Sequence, residues 1–223
     1  YLAASLSAPA FVNIFLGRLN AFVADNGLGE GENVGERVTV ASQTAITTLR
    51  NQEGVKTQQI AASMRDGEQV ARLAGVDVMT MPLGVVDAFV ASSPAPEELR
   101  PFTQQAYPVE VAEEAASVVS VLWKIPAAFR ETVRELQGTP LRQASGDDLR
   151  AFFDARGHTG LFPSWREDDT HAIEADGKIP RYQHWASRLE KGDVDLDALM
   201  SQSGLYTFAA DQRALDDRIR AHL

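Results

Sequence analysis

Cysteine is absent from this chain of 223 residues. Without thiols the protein can form no disulfide framework, no thiolate zinc site and no cysteine nucleophile. A chain without cysteine suits a reducing compartment, so we expect a cytoplasmic protein.

Positive charge is also scarce. The chain has 21 lysine and arginine residues against 31 aspartate and glutamate residues, which gives a formal net charge of -10. Nucleic-acid binding depends on clustered basic side chains that neutralise phosphates, and the sequence has no basic run. We therefore expect no nucleic-acid partner.

Long hydrophobic runs are missing too. The most apolar early stretch, residues 2–23, is interrupted by Asn13, Arg18 and Asn20. A membrane span or a signal peptide needs an unbroken apolar centre. The sequence therefore predicts no membrane association.

Metal-ligand spacing is not found among the histidines, which are His158, His171, His184 and His222. The acidic run 167–169 falls where a helix is predicted to begin, and acids there favour the helix dipole. The glycine-rich stretch 27–35 lacks the spacing of a dinucleotide-binding loop. We expect neither a metal nor an organic cofactor.

The first part of the chain contains an alternation of strands and helices. Short apolar runs predict strands, and helical periodicity separates them; the strands are predicted over 10–16, 57–63 and 76–81, and the helices over 35–51, 66–74 and 83–90. This order is typical of parallel βα units in an α/β fold. Three strands do not make a closed or doubly covered sheet, so we expect an incomplete one.

Residues 92–96 (SSPAP) break this alternation, and the rest of the chain is mostly helical in pattern. Ser145 and Asp148 are spaced as a capping box. We therefore predict a βα domain over 1–92 and a helical region over 93–223. The aromatic residues of the tail are expected to form the core of a small helical domain rather than a ligand site; they are Phe152, Phe153, Phe162, Trp165, Tyr182 and Trp185.

Three polar residues come directly after the first two predicted strands. Arg18 lies beyond the first strand, and Ser63 and Arg65 lie at the end of the second. The carboxyl ends of parallel strands carry the chemistry of βα barrels, and arginine can hold two phosphate oxygens at once. These residues are candidates for an oxyanion cradle, although both arginines could instead pair with surface acids.

Three segments in order resemble the last three strands of the transaldolase and fructose-6-phosphate aldolase family. Residues 11–20 (FVNIFLGRLN) resemble its sixth strand, 60–66 (IAASMRD) its seventh and 73–82 (LAGVDVMTMP) its eighth. The resemblance implies a fold: the last three strands of a (β/α)8 TIM barrel, followed by an all-α tail.

The resemblance also implies residue roles. Arg18, Ser63 and Arg65 match the positions that bind the substrate phosphate. Phe15 matches an aromatic residue near the reacting carbon, and Asn13 lines the pocket where the family usually has Ser or Ala. These five residues are the predicted site.

The implied activity is the transfer of a dihydroxyacetone unit between sugar phosphates, without metal or cofactor. In the family, a lysine amine forms a Schiff base with the ketose and the iminium withdraws electrons for C–C cleavage. The family's lysine lies on the fourth strand, so we expect it to be supplied by sequence N-terminal to this chain, which alone would then be inactive. A half-barrel partner or a homo-oligomer is possible. The alternative is a non-catalytic half-barrel with a helical interaction or oligomerisation module.

Only four lysines occur in this chain, and Lys56, Lys178 and Lys191 lie in polar surroundings. Lys124 comes after an apolar run and precedes Ile125 and Pro126, as the family's lysine does. The same run also fits a helix over about 112–123 that ends beside this lysine. Lys124 is therefore a minor candidate for the Schiff-base lysine.

Overall fold

The protein is described by a computed structural model that covers residues 1–139 and 144–222. Its contacts divide the chain into two compact units. The first comprises Tyr1–Ala115 with Trp123–Leu141, and the second comprises Ala116–Leu122 with Arg142–Leu223.

A parallel sheet of three strands forms the centre of the first unit. Strands β1 (Phe11–Phe15), β2 (Gln58–Ala62) and β3 (Val78–Met79) lie in the order β1-β2-β3. Phe15 pairs with Ala62 at the carboxyl end of β1, and Ile60 pairs with Val78. The α/β class and the parallel order of the strands are as predicted.

Helices connect these strands, because apolar residues recur at helical spacing between them. The helices of the first unit are α1 (Leu2–Ser7), α2 (Leu16–Asp25), α3 (Val34–Glu53), α4 (Gly67–Arg72), α5 (Leu83–Ser92) and α7 (Ala127–Gln137). Asp66 caps α4, since its carboxylate accepts a hydrogen bond from the Gln69 amide at 2.8 Å.

The core of the first unit lies on one face of the sheet. Ile14 and Ala61 pack there with a cluster contributed by α2, α4 and α5, and Val12 packs against Ile46 of α3. Side chains alternate between the faces of a strand. Phe11 and Asn13 therefore lie on the other face, where both are exposed and Phe11 keeps 50% of its surface accessible.

Strand β3 is shorter than predicted for a physical reason. At its start the Asp77 carboxylate, not a backbone carbonyl, accepts the hydrogen bond from the Gln59 amide at 3.0 Å. The Asp77 amide donates in turn to the Gln43 side chain. The backbone ladder with β2 therefore begins only at Val78 and continues to the Thr80 amide, which donates to Ala61.

The second unit is helical in the residues that the structure describes. Its helices are α6 (Ala116–Ser120), α8 (Gly146–Asp154), α9 (Glu167–Asp176), α10 (Tyr182–Lys191) and α11 (Leu196–Arg220). The predicted capping box at Ser145 and Asp148 is present at the start of α8. Phe153 and Trp185 are buried in this unit, as its predicted aromatic core requires.

Residues 93–115 belong by their contacts to the first unit. Phe102 and Tyr107 pack against the cluster beneath the sheet, and the Tyr107 hydroxyl donates to the Arg72 carbonyl at 2.6 Å. This division into units does not test the domain boundary predicted at residue 92, which stays a prediction. Across the described ranges, no helix is both long and apolar enough to cross a membrane.

Candidate active site at the carboxyl edge of the sheet

The candidate site begins where β1 and β2 end side by side. Phe15 and Ala62 are paired as the last residues of their strands, so the segments after them start at the same edge of the sheet. Helix α2 starts directly after Phe15, and its first turn contains no acidic residue. The exposed amides of a helix N-terminus attract anions.

Gly17 brings the two segments together. A Cβ atom at this position would meet the Ser63 backbone carbonyl and would lie 2.8 Å from Arg65 Nε and 3.1 Å from Ser63 Oγ. Only a residue without a side chain permits this approach. Two of the predicted phosphate ligands, Ser63 and Arg65, therefore lie against the first turn of α2.

Arg18 is the next residue in that first turn. It is only 8% exposed, and its guanidinium carbon lies 6.0 Å from the centre of the Phe15 ring, within the range of a cation–π contact. Burial lowers the pKa of Arg18. The guanidinium nevertheless stays charged at neutral pH, because its ordinary pKa is far higher.

Ser63 has an unusual backbone conformation. Its φ is +63°, in the left-handed region that residues with a side chain rarely occupy. Such strain is found at functional sites, where the surrounding structure holds it in place. Here it turns the chain sharply between Ala62 and Arg65.

A chain of hydrogen bonds supports Arg65 from behind. The Arg65 amide donates to Gln69 Oε1 at 2.7 Å, and Gln69 Nε2 donates to Glu36 Oε1 at 2.7 Å. Asn20 Nδ2 donates to the other Glu36 oxygen at 3.1 Å, and the Gly35 amide donates to Asn20 Oδ1 at 2.6 Å. Residues from α2, α3 and α4 thus fix the loop that carries Arg65.

Glu36 is the centre of this network. It is only 3% exposed and lies in the first turn of α3, where the helix dipole stabilises a negative charge. Sequence reasoning missed Glu36 and Gln69 altogether, and it quoted Asn20 without assigning it a role. The acid in the first turn of the predicted helix was the available signal.

A cleft of about 600 Å³ opens beside the site, but it does not suit a phosphate. It shares Gly17 and Arg65 with the site, and its lining includes the acids Asp25, Glu30, Glu32, Glu36, Asp66 and Glu68. These carboxylates would repel an anion. The predicted phosphate ligands Arg18 and Ser63 are not among the residues that line this cleft.

The two predicted pocket-lining residues lie on the open face of the sheet. Asn13 is exposed in the middle of β1, and Phe15 is half-buried at its end, two residues further along the same face. Asn13 is paired in register with Ile60 of β2. Both side chains are thus on the face that, in a closed barrel, looks into the interior.

No lysine lies on a strand in the described ranges. Lys56 precedes β2 at its amino end, Lys178 is in a turn and Lys191 ends α10; all three are exposed. Lys124 is exposed in an irregular segment, four residues after α6 ends. The strand considered for Lys124 is absent; the helix predicted over about 112–123 is present as a helical stretch over 113–120, which ends before it reaches this lysine.

The acidic run 167–169 is part of a helix start, as expected. Asp169 accepts the Arg166 amide at 2.8 Å and pairs with Arg188 at 2.6 Å. Among the described residues, no group of histidine and acidic side chains is arranged to hold a metal ion.

Comparison with known protein families agrees with this geometry. A family model for transaldolase/fructose-6-phosphate aldolase matches residues 1–139, which is more than half of the chain. The chain belongs to the transaldolase/fructose-6-phosphate aldolase family. No curated protein matches the sequence significantly.

Family membership places the chain among aldolase-type enzymes of sugar-phosphate metabolism, whose fold is the TIM barrel. The match extends beyond residue 92, where the resemblance of the strand motifs ended, and reaches past α7 (Ala127–Gln137). The strand motifs identified the family, but they did not assign these later helices to it; the sequence analysis placed them in the helical region over 93–223 instead.

Proposed function

We propose that this protein is a transaldolase-type transferase in which Arg18, Ser63 and Arg65 hold the phosphate of the sugar substrate. The observation that carries the proposal is the approach of Ser63 and Arg65 to Gly17, at the N-terminus of α2 and beside Arg18. Two guanidinium groups, one hydroxyl and the amides of a helix start are the donors that a phosphate dianion requires.

The open face of the sheet fits a role in positioning the sugar. Asn13 and Phe15 succeed one another along this face towards the phosphate site. In the proposed complex, the sugar extends from the phosphate across Phe15 to Asn13, whose amide can both donate to and accept from a substrate hydroxyl.

The Schiff-base lysine is proposed to come from polypeptide N-terminal to these 223 residues. Support comes from the described strands, which carry no lysine, and from the exposed positions of all four lysines. A further part of the barrel would also cover the open sheet face. In this proposal, the further part of the barrel belongs either to the same gene product or to a partner subunit. The cytoplasmic location of the protein stays a prediction.

Borohydride trapping tests the proposed chemistry. The 223-residue chain and the full product of its gene are each incubated with fructose 6-phosphate and borohydride, and their intact masses are compared. We expect a stable adduct on the full product alone. An adduct on the chain itself would assign the lysine role to Lys124, and no adduct on either protein would favour the non-catalytic alternative.

A further inference from the structure

The last helix, α11, has two distinct faces. In its first half, Leu196, Leu199 and Met200 are buried within the second unit. Further along the helix, the apolar side chains Leu205, Phe208, Leu215 and Ile219 keep 65%, 49%, 57% and 50% of their surfaces exposed. At about 100° per residue, this second set lies roughly two-fifths of a turn away from the buried one.

The spacing of the exposed residues is that of a coiled-coil seam. Leu205, Phe208, Gln212, Leu215 and Ile219 succeed one another at intervals of three, four, three and four residues, which places them at the a and d positions of successive heptads. Along a straight helix a repeat of this kind drifts by only about 20° per heptad, so over two heptads it forms one narrow stripe that can face a single neighbour. We call this set the α11 stripe.

We propose that the α11 stripe binds the same stripe of a second copy of this chain, with the two helices antiparallel. The charges beside the stripe specify this partner and orientation. Asp211 and Arg218 are exposed at successive g positions, and Asp216 occupies an e position.

The antiparallel register is set by the sequence. When Phe208 of one copy lies opposite Ile219 of the other, Gln212 lies opposite Leu215, and the two-fold axis repeats both layers. In this register each Asp211 is beside Arg218 of the second copy, because g positions meet g positions in antiparallel pairs. In a parallel pair, g positions meet e positions, and Asp211 would lie beside Asp216 of the second copy with like charge.

The pair is a two-fold symmetric interface, the commonest kind in homo-oligomers. Its stripe spans about 22 Å for 15 residues, so few apolar layers are buried. We therefore expect a weak dimer, with a dissociation constant on the order of micromolar. The proposal is independent of the sugar-phosphate chemistry, since α11 belongs to the second unit.

Sedimentation equilibrium of the full chain over a range of concentrations tests the dimer. We expect a monomer–dimer equilibrium that the double variant Leu215→Glu/Ile219→Glu shifts entirely to monomer. The matched control is Ala214→Glu, which adds the same kind of charge at an exposed position outside the stripe. Circular dichroism checks that every variant keeps its helical content.

Charge reversal tests the orientation. Asp211→Arg should weaken the dimer at least about tenfold, because it places Arg against Arg218 of the second copy. Adding Arg218→Asp should restore the wild-type affinity. A monomer at all concentrations, a dimer that survives the Leu215→Glu/Ile219→Glu change, or a tighter dimer with Asp211→Arg alone would each overturn the proposal.

Discussion

At the scale of single residues, the site depends on one missing side chain. Gly17 lets the Ser63 carbonyl and the Arg65 side chain lie against the first turn of α2. Any β-carbon there would have to displace the backbone of Ser63, which is already held in a left-handed conformation. The donor geometry at the sheet edge therefore tolerates no substitution at this position.

Gly17→Ala is predicted to disrupt phosphate binding. The added methyl group pushes the Ser63–Arg65 segment away from α2, so we expect fructose 6-phosphate to bind at least about tenfold more weakly. The measurement is a calorimetric titration of the variant chain.

The matched control for this substitution is Gly84→Ala. Gly84 lies in the first turn of α5, and an added Cβ there meets no atom within 4 Å. This control should bind like the wild type and gain up to about 1 kcal/mol in unfolding free energy, because alanine favours helix over glycine. Equal affinities for the two variants would refute the role assigned to Gly17.

At the scale of elements, α3 supports both ends of the sheet. Its first turn supplies Glu36 to the network behind Arg65. Its later turns supply Gln43 and Arg50 to Asp77 at the opposite end, where Arg50 Nη2 lies 2.9 Å from the Asp77 carboxylate. Residues at the amino ends of barrel strands contribute to stability rather than chemistry.

Asp77 should make stability depend on pH. Burial alone would raise the pKa of Asp77, but hydrogen bonds from Arg50, Gln43 and the Gln59 amide, together with the Arg50 charge, hold it below its ordinary value. The folded carboxylate thus binds protons more weakly than the unfolded one. Its stabilising effect is complete above the unfolded pKa of about 3.9 and is lost as the pH falls through the lower folded value.

Asp77→Asn removes this contribution. We expect the unfolding free energy of the variant to be lower than that of the wild type by about 1 to 3 kcal/mol at neutral pH. This gap in unfolding free energy should narrow as the pH falls from about 5 to about 2. Urea unfolding across this range measures the gap. A gap that stayed constant or widened in acid would contradict the assignment.

The sequence predicts the elements better than it predicts the contacts between them. The positions of β1 and β2 and the residues Arg18, Ser63 and Arg65 could be inferred, because each depends on a contiguous run and on the residues that come directly after a strand. The network of Asn20, Glu36 and Gln69 could not, because it depends on how three helices pack. The length of β3 was overestimated, because the Asp77 side chain replaces part of the backbone ladder.

At the scale of the whole molecule, the family match and the first compact unit cover nearly the same residues. Residues 1–139 match the family, and the first unit contains nearly all of them. Within residues 1–139, helices pack on one face of its sheet, and Phe11 and Asn13 are exposed on the other, whereas parallel sheets are generally covered on both faces. The open face carries Asn13 and Phe15, the residues that we propose to position the sugar.

The phosphate site is the centre of the proposed function, and one titration tests it. Fructose 6-phosphate is titrated into the wild-type chain, into Arg18→Ala and into Arg134→Ala, which removes an exposed arginine from the last turn of α7. We predict that the wild type and Arg134→Ala bind alike, that inorganic phosphate competes with the sugar, and that Arg18→Ala binds at least about tenfold more weakly. Equal binding by all three proteins, or no binding by the wild type, would contradict the proposed site.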